Sequence, residues 1–282
     1  MDYSHYVVAR RSEIEALYKY LEKHKYPVKL TLGLDRLEKN ALLSFEMFES
    51  HPLWKGVSDQ LTYYEQQDNH ITNSVNIFYT EAEIRQARWS WIGYVHEQGY
   101  ALPKYSFGDY SYKKECEKCN IHQQTLPFQI ADDVKWGKKQ FRRLISMAEI
   151  FTCPEVIEAF QEQGFTGYEV WDVLKHKTKQ PLDSIKQLHF TKTCPFPVEN
   201  VDELKEMVCP VCGRVRYTPY LRGTFQYKAT DMELVQTDFM YMQEWIGNGG
   251  LAWREVLVSN RVVQFILDQK WQGITFKAID LV

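Results

Sequence analysis

At 282 residues the chain is long enough for one large domain or two modest ones, each with its own apolar core. Its composition is globular, with 44% hydrophobic, 25% charged and 15% aromatic residues, which excludes a disordered, collagen-like or low-complexity chain. A formal net charge of −3, with both signs interspersed, argues against non-specific binding to nucleic acid or anionic lipid, since such binding calls for a basic excess.

The opening MDYSHYVVARRSEIEALYKY lacks the basic segment and following apolar stretch of a secretory signal, and no run of about 18 apolar residues reads as a membrane span. The expectation is a cytoplasmic protein with no membrane partner. Its six cysteines are then thiols or metal ligands rather than a disulfide framework.

In chain order, Tyr6–Arg10 reads as a strand. Ser12 and Glu15 form a capping box that starts a helix through about His24, with Ile14, Leu17, Tyr18 and Leu21 on one face. Val28–Leu34 alternates as a strand, whereas Leu42–His70 gives mixed signals that choose neither helix nor strand. Val75–Tyr79 reads as a further strand. Thr80 with Glu83 makes a second capping box, which opens a helix over 80–99 with Ile84, Ala87, Trp91 and Val95 as its stripe and Gly99 as its stop. Pro103–Tyr112 is a turn-rich connection.

The later chain repeats itself. At a constant offset of 106 positions, Glu149, Val156, Gln163 and Gly167 recur as Glu255, Val262, Gln269 and Gly273, and the apolar positions between them recur as well. Both stretches read as strand, helix, glycine turn and strand. Each follows a CxxC pair, Cys116/Cys119 before the first and Cys209/Cys212 before the second, with about 13 more residues between pair and helix in the second. The expected organisation is α+β, with mixed sheets and packed helices. Residues 1–75 form an N-terminal α+β region, and 76–282 form a duplicated core with copies at about 107–190 and 191–282.

Cys209-Pro-Val-Cys212-Gly213 is the strongest short motif. Two thiolates three positions apart on a tight turn can both face one metal ion, the turn's N–H groups can donate to the sulfurs, and Gly213 relieves the backbone. Cys116-Glu-Lys-Cys119-Asn120 has the same spacing, with Asn as the next residue most tolerant of positive φ. Cys116, Cys119, Cys209 and Cys212 are therefore the expected ligands of one structural Zn²⁺ per chain, although 89 residues separate the pairs where compact zinc ribbons have about 15–20. A thioredoxin-like redox pair would place a helix after its first Cys, and none reads there. Free thiols are the third reading. His122 is a possible substitute ligand or an ordinary surface residue, while Cys153 and Cys194 read as structural.

No G-x-S-x-G, H-E-x-x-H, P-loop or G-x-G-x-x-G occurs. Asp132/Asp133 and Asp202/Glu203 are acid pairs, with Asn200–Glu203 better read as a helix cap. The expectation is a protein without catalytic residues. Arg214, Arg216 and Tyr217, after the second pair, form a basic-aromatic cluster that can touch nucleic acid or can be a solvated strand, and the charge balance favours the second.

The paired cysteine motifs resemble those of the bacterial double-CXXCG motif proteins. Val256-Leu-Val-Ser-Asn-Arg-Val-Val with Trp271-Gln-Gly-Ile-Thr-Phe276 resembles the end of related immunity proteins of bacterial toxin systems, and Phe78–Ala87 with Tyr100-Ala-Leu-Pro103 fits the same pattern. The resemblance covers roughly 77–282, and the first pair departs from a strict double CxxCG by ending in Asn120 rather than Gly. It implies an α+β fold, no catalysis, and direct binding of a cognate toxin. Candidate binding surfaces are the N-terminal region and 223–250, with Asp231, Glu233, Asp238 and Glu244 among aromatics. The alternatives are a zinc-ribbon-like nucleic-acid or regulatory adaptor and a CxxC thiol oxidoreductase.

Overall fold

The computed structural model describes residues 1–32, 41–67, 71–103, 110–119, 121–218, 223–247 and 252–282. The chain is a mixed α+β protein with several sheets, and six α-helices lie among the described residues. It divides into two compact units: Met1–Thr80 with Leu221–Gly223, and Glu81–Tyr220 with Thr224–Val282.

The first unit runs β1 (Asp2–Arg10), α1 (Glu15–Lys23), β2 (Lys29–Thr31), β3 (Leu42–Phe48), α2 (Trp54–Gln66) and β4 (Thr72–Phe78). Its antiparallel sheet has the order β2-β3-β1-β4, the ferredoxin-like split β-α-β arrangement. Alternation along β1 and β3 turns Val7, Ala9, Leu43, Phe45 and Met47 inward against Leu17 and Leu21 of α1 and Val57 and Leu61 of α2. The stripe expected on α1 is this packed face. Its capping box is not formed, because Ser12 sits in a 3-10 turn (Arg11–Glu13) and Ile14 occupies the N-cap with no side-chain cap bond. The ambiguous stretch resolves into β3 and α2, with 68–70 outside the described residues. Leu34, the end of the expected second strand, also falls outside them.

In the second unit Thr80 is followed at once by a helix, but it is short. Helix α3 (Glu81–Gln86) gives way to β5 (Trp89–Val95), so the helix expected over 80–99 is a helix of six residues and then a strand. Ile84, Ala87, Trp91 and Val95 fall at helical spacing by coincidence. β5 is a central strand with Trp89, Ser90, Ile92 and Val95 all buried, and burial on both faces erases the period-two alternation that marks a strand. Gly99 has φ +81 but ends no helix.

Two sheets of this unit share one plan. In the first, β9 (Phe141–Arg142) pairs with β10 (Ile150–Thr152), α4 (Pro154–Glu162) follows, and β11 (Tyr168–Lys175) returns on the far side of β12 (Pro181–Phe190), flanked by β8 (Gln129–Ile130). In the second, β16 (Phe239–Tyr241) pairs with β17 (Val256–Ser259), α6 (Asn260–Asp268) follows, and β18 (Ile274–Ala278) returns on the far side of β5. The registers agree. Thr152 faces Phe141 and Lys186, and 106 positions later Val258 faces Phe239 and Ser90. Val170 faces Leu188, and Phe276 faces Ile92. Even the parallel edge recurs: Leu174 pairs with Gln129, and Asp280 of β19 (Asp280–Leu281) pairs with Gln226 of β15 (Gln226–Tyr227). The central strands enter differently. β12 follows β11 through a short connection, whereas β5 comes from the start of the unit into the sheet of 191–282.

The glycine turns lock the two sheets crosswise. Gly167 and Gly273 both have φ +97. A Cβ at Gly167 would stand 2.0 Å from the carbonyl oxygen of Phe239, and one at Gly273 would stand 2.2 Å from that of Phe141. Just before each glycine, a carbonyl receives two amides of the other sheet: Thr166 O from Asp238 N and Phe239 N, and Gln272 O from Gln140 N and Phe141 N. Thr166 N donates to Asp238 Oδ2 at 2.8 Å, and Gln272 N to Gln140 Oε1 at 2.9 Å.

Candidate metal centre

Each CxxC sits at the tip of a two-stranded hairpin. The first lies between β6 (Tyr112–Lys114) and β7 (His122–Gln124), and the second between β13 (Glu206–Val208) and β14 (Val215–Tyr217). Among the described residues the next element after each pair is a strand, not a helix. At the second tip Cys209 N donates to Arg214 O at 3.0 Å and Gly213 N to Cys209 O at 2.9 Å. Gly213 holds φ +72, the left-handed conformation expected of it. Asn120, its expected counterpart, lies outside the described residues.

The hairpins bring the four thiols together. Cys116 Sγ lies 3.8 Å from Cys209 Sγ and Cys119 Sγ lies 3.7 Å from Cys212 Sγ. All four sulfurs fall within 4.8 Å of one another. Four thiolates held tetrahedrally at about 2.3 Å from one ion stand about 3.8 Å apart, so the donor set fits a metal ion in both type and edge length. Cys116, Cys119 and Cys209 are buried with Ile121, against Trp245 and Ala252, while Cys212 is exposed.

The backbone of each tip prepares the thiolate state. The N–H groups of Cys212 and Val211 lower the Cys209 pKa, and that of Cys119 lowers the Cys116 pKa. Cys119 moves the other way, pushed up by burial and by its thiol neighbours. A cation between the four sulfurs would favour deprotonation at all of them.

Other residues singled out from the sequence are placed elsewhere. His122 packs its ring against Tyr112, 5.6 Å between centroids. Cys153 is the buried N-cap of α4, where α6 has Ser259, and Cys194 is buried in the core around Leu257. Burial pushes both thiols up to about 11. Asp132 pairs with Lys175, Asp133 accepts from Ser184, and Asn200 caps only a 3-10 turn (Val201–Glu203).

The basic-aromatic cluster is engaged inside the protein. Arg214 pairs with Glu115 at 2.9 Å and stacks on Trp245, whose ring also carries Arg254. Arg254 in turn lies over Tyr241, and Arg216 is buried. Sequence reading missed Trp245, Arg254 and Glu115, which carry no motif and meet only through the fold. Two of the acids expected at a binding surface are buried as well. Asp238 accepts from Arg261, Ser259 and Thr166, and Glu244 accepts from Val198 N at 2.9 Å. Asp231 is half-buried, and only Glu233 of the four is exposed.

Among the described residues no helix is long and apolar enough to cross a membrane. No family model and no curated protein matches the chain. What the geometry establishes is a cluster of four cysteines, two from each of two distant hairpins, that can hold one metal ion.

Proposed function

We propose that Cys116, Cys119, Cys209 and Cys212 hold one structural zinc ion, and that the chain is a non-enzymatic, cytoplasmic binding protein of the double-CXXCG kind. On this reading it is an immunity protein that neutralises a bacterial toxin by direct binding. The observation that carries the proposal is the closed cluster of four sulfurs. Thiolates suit zinc, four of them leave no open position for substrate, and a closed site is a staple rather than a catalyst. Thiolate coordination also fits a reducing compartment. When bound, the ion would supply a cross-link between hairpins that lie 93 positions apart in sequence.

The core of the second unit is then read as an internal duplication. Its support is the shared strand order, the common registers and the reciprocal glycine turns of the two sheets. The nucleic-acid adaptor is the weaker alternative, because Arg214 is spent on Glu115 and Trp245 and Arg216 is buried.

The test has two parts. Metal analysis of protein purified without added metal is expected to give one zinc per chain, and a metal-free, fully folded protein refutes the staple. Affinity capture from the native cell is expected to recover one neighbouring-gene product that is toxic when expressed alone and harmless when this chain is co-expressed. Toxicity unrelieved by co-expression refutes the immunity reading and leaves the staple standing.

A further inference from the structure

Strand β4 forms one edge of the sheet in the first unit. Its outward backbone groups hydrogen-bond to no other described residue. Soluble proteins guard such an edge with lysine, proline, a bulge or a covering segment, because a row of free N–H and C=O groups is a template for another strand. β4 carries none of the built-in guards. Thr72-Asn-Ser-Val-Asn-Ile-Phe78 has no charge and no proline, and its pairing with β1 runs unbroken from Val8 opposite Thr72 to Asp2 opposite Phe78, so no bulge bends it away. The opposite edge, β2, is only three residues long. At the end of β4, Phe78 is 44% exposed and meets the exposed Phe48 edge-to-face at 5.1 Å.

We propose that β4 pairs antiparallel with β4 of a second copy of this chain, about a two-fold axis at Val75. That register sets Ser74 opposite Asn76 of the second copy, Asn73 opposite Ile77, and Thr72 opposite Phe78. No charge meets a like charge, the condition an antiparallel self-pairing must satisfy at each directly opposed position. The register also preserves the faces. Thr72, Ser74, Asn76 and Phe78 lie on the face away from the helices, and Asn73, Val75 and Ile77 lie on the helix side, so each face of one sheet continues as the same face of the other. The unguarded length of β4, its neutrality and this self-complementary pattern point to its own copy as the occupant. A seven-residue strand pair is small for an interface, so the dimer dissociates in about the micromolar range. The inference does not rest on the toxin reading.

Sedimentation equilibrium of the full chain, from about 1 to 200 µM, reads it directly. The wild-type mass is expected to rise from 33.5 kDa toward twice that value as concentration increases. The double variant S74K/N76K places lysine opposite lysine twice and is expected to stay at monomer mass throughout. The variant S74E/N76K places glutamate opposite lysine twice and is expected to dimerise at least as tightly as wild type. The contrast separates loss of pairing from loss of folding, since both variants alter the same two exposed positions. A wild-type mass constant at 33.5 kDa, or equal dimerisation by the two double variants, overturns the proposal.

Discussion

Replacing Gly273 by alanine tests the crosswise lock between the two sheets. A Cβ there would stand 2.2 Å from the carbonyl oxygen of Phe141, far inside contact distance, and the residue holds φ +97. The positive φ alone costs about 1–2 kcal/mol for an alanine. Relieving the clash means moving β9 away from the turn, which strains the bonds from Gln140 N and Phe141 N to Gln272 O, each worth about 1 kcal/mol. The expected loss is about 3–4 kcal/mol, within the range reserved for backbone and packing lesions. Gly164 supplies the control. Its φ is +65, but a Cβ there meets nothing within 4 Å, so Gly164→Ala is expected to lose only about 1–2 kcal/mol. Urea unfolding with an unchanged slope measures both. Gly167→Ala, whose Cβ would meet Phe239 O at 2.0 Å, should match Gly273→Ala. Equal losses at Gly273 and Gly164 would refute the close approach as the cause.

Other outcomes follow from the same geometry. Cys209→Ser is expected to abolish tight metal binding and lower the unfolding midpoint sharply, because structural metal binding is folding free energy; metal analysis and thermal unfolding check it. Asp238→Asn is expected to cost about 1–3 kcal/mol, discounted because Arg261 is half exposed. Burial raises the Asp238 pKa, but bonds from Arg261, Ser259 and Thr166 outweigh it and hold the carboxyl below its ordinary value. Its contribution is therefore complete above the unfolded value of about 3.9 and lost as pH falls through the folded one, so the wild type and variant should converge in acid unfolding. Glu149 has the opposite sign: burial raises its carboxyl despite the hydrogen bond donated by the Tyr112 hydroxyl. Its folded form binds the proton more tightly, so it weakens the fold as pH rises from about 4.3 through the raised value. Glu149→Gln should then be at least as stable as wild type at pH 8, with a smaller difference at pH 5, in urea titrations; a loss above about 1 kcal/mol at pH 8 contradicts this.

The candidate site was legible because its signal is local. A CxxC with a following glycine describes one turn, and Gly213 adopts the φ that the motif requires. The units around α4 and α6 were legible for a similar reason: amphipathic helices of nine residues, each ending near a glycine turn, announce themselves by period. β5 was not legible. Its partners β17 and β18 lie more than 150 positions away, both faces are covered, and the flanking capping box made a helix the cheaper local reading. The acids of 223–250 misled in another way. Asp238 and Glu244 look like surface charge in sequence, and only the fold supplies the partners that let them be buried.

The location of the cysteines follows from the pairing of the two sheets. Cys116 meets Cys209 and Cys119 meets Cys212, and both pairs are separated by 93 positions. On the reading of the sheets as copies, each sulfur therefore faces its own equivalent, which is what a site on a pseudo-two-fold axis requires. On that reading one hairpin design used twice suffices to build a closed four-sulfur site, and the long separation that sets this chain apart from compact zinc ribbons is the 93-position spacing between the two hairpins. The reciprocal glycine turns fix how the two sheets dock, so a metal at the hairpins would add a cross-link to an arrangement the backbone already specifies. A protein of this kind should lose stability on metal removal while keeping the registers of both sheets. Backbone amide exchange of the metal-free chain can show this: protection retained in β10, β12, β17 and β5 but lost in both hairpins is the expected pattern, and uniform loss would make the metal the organiser of the core instead.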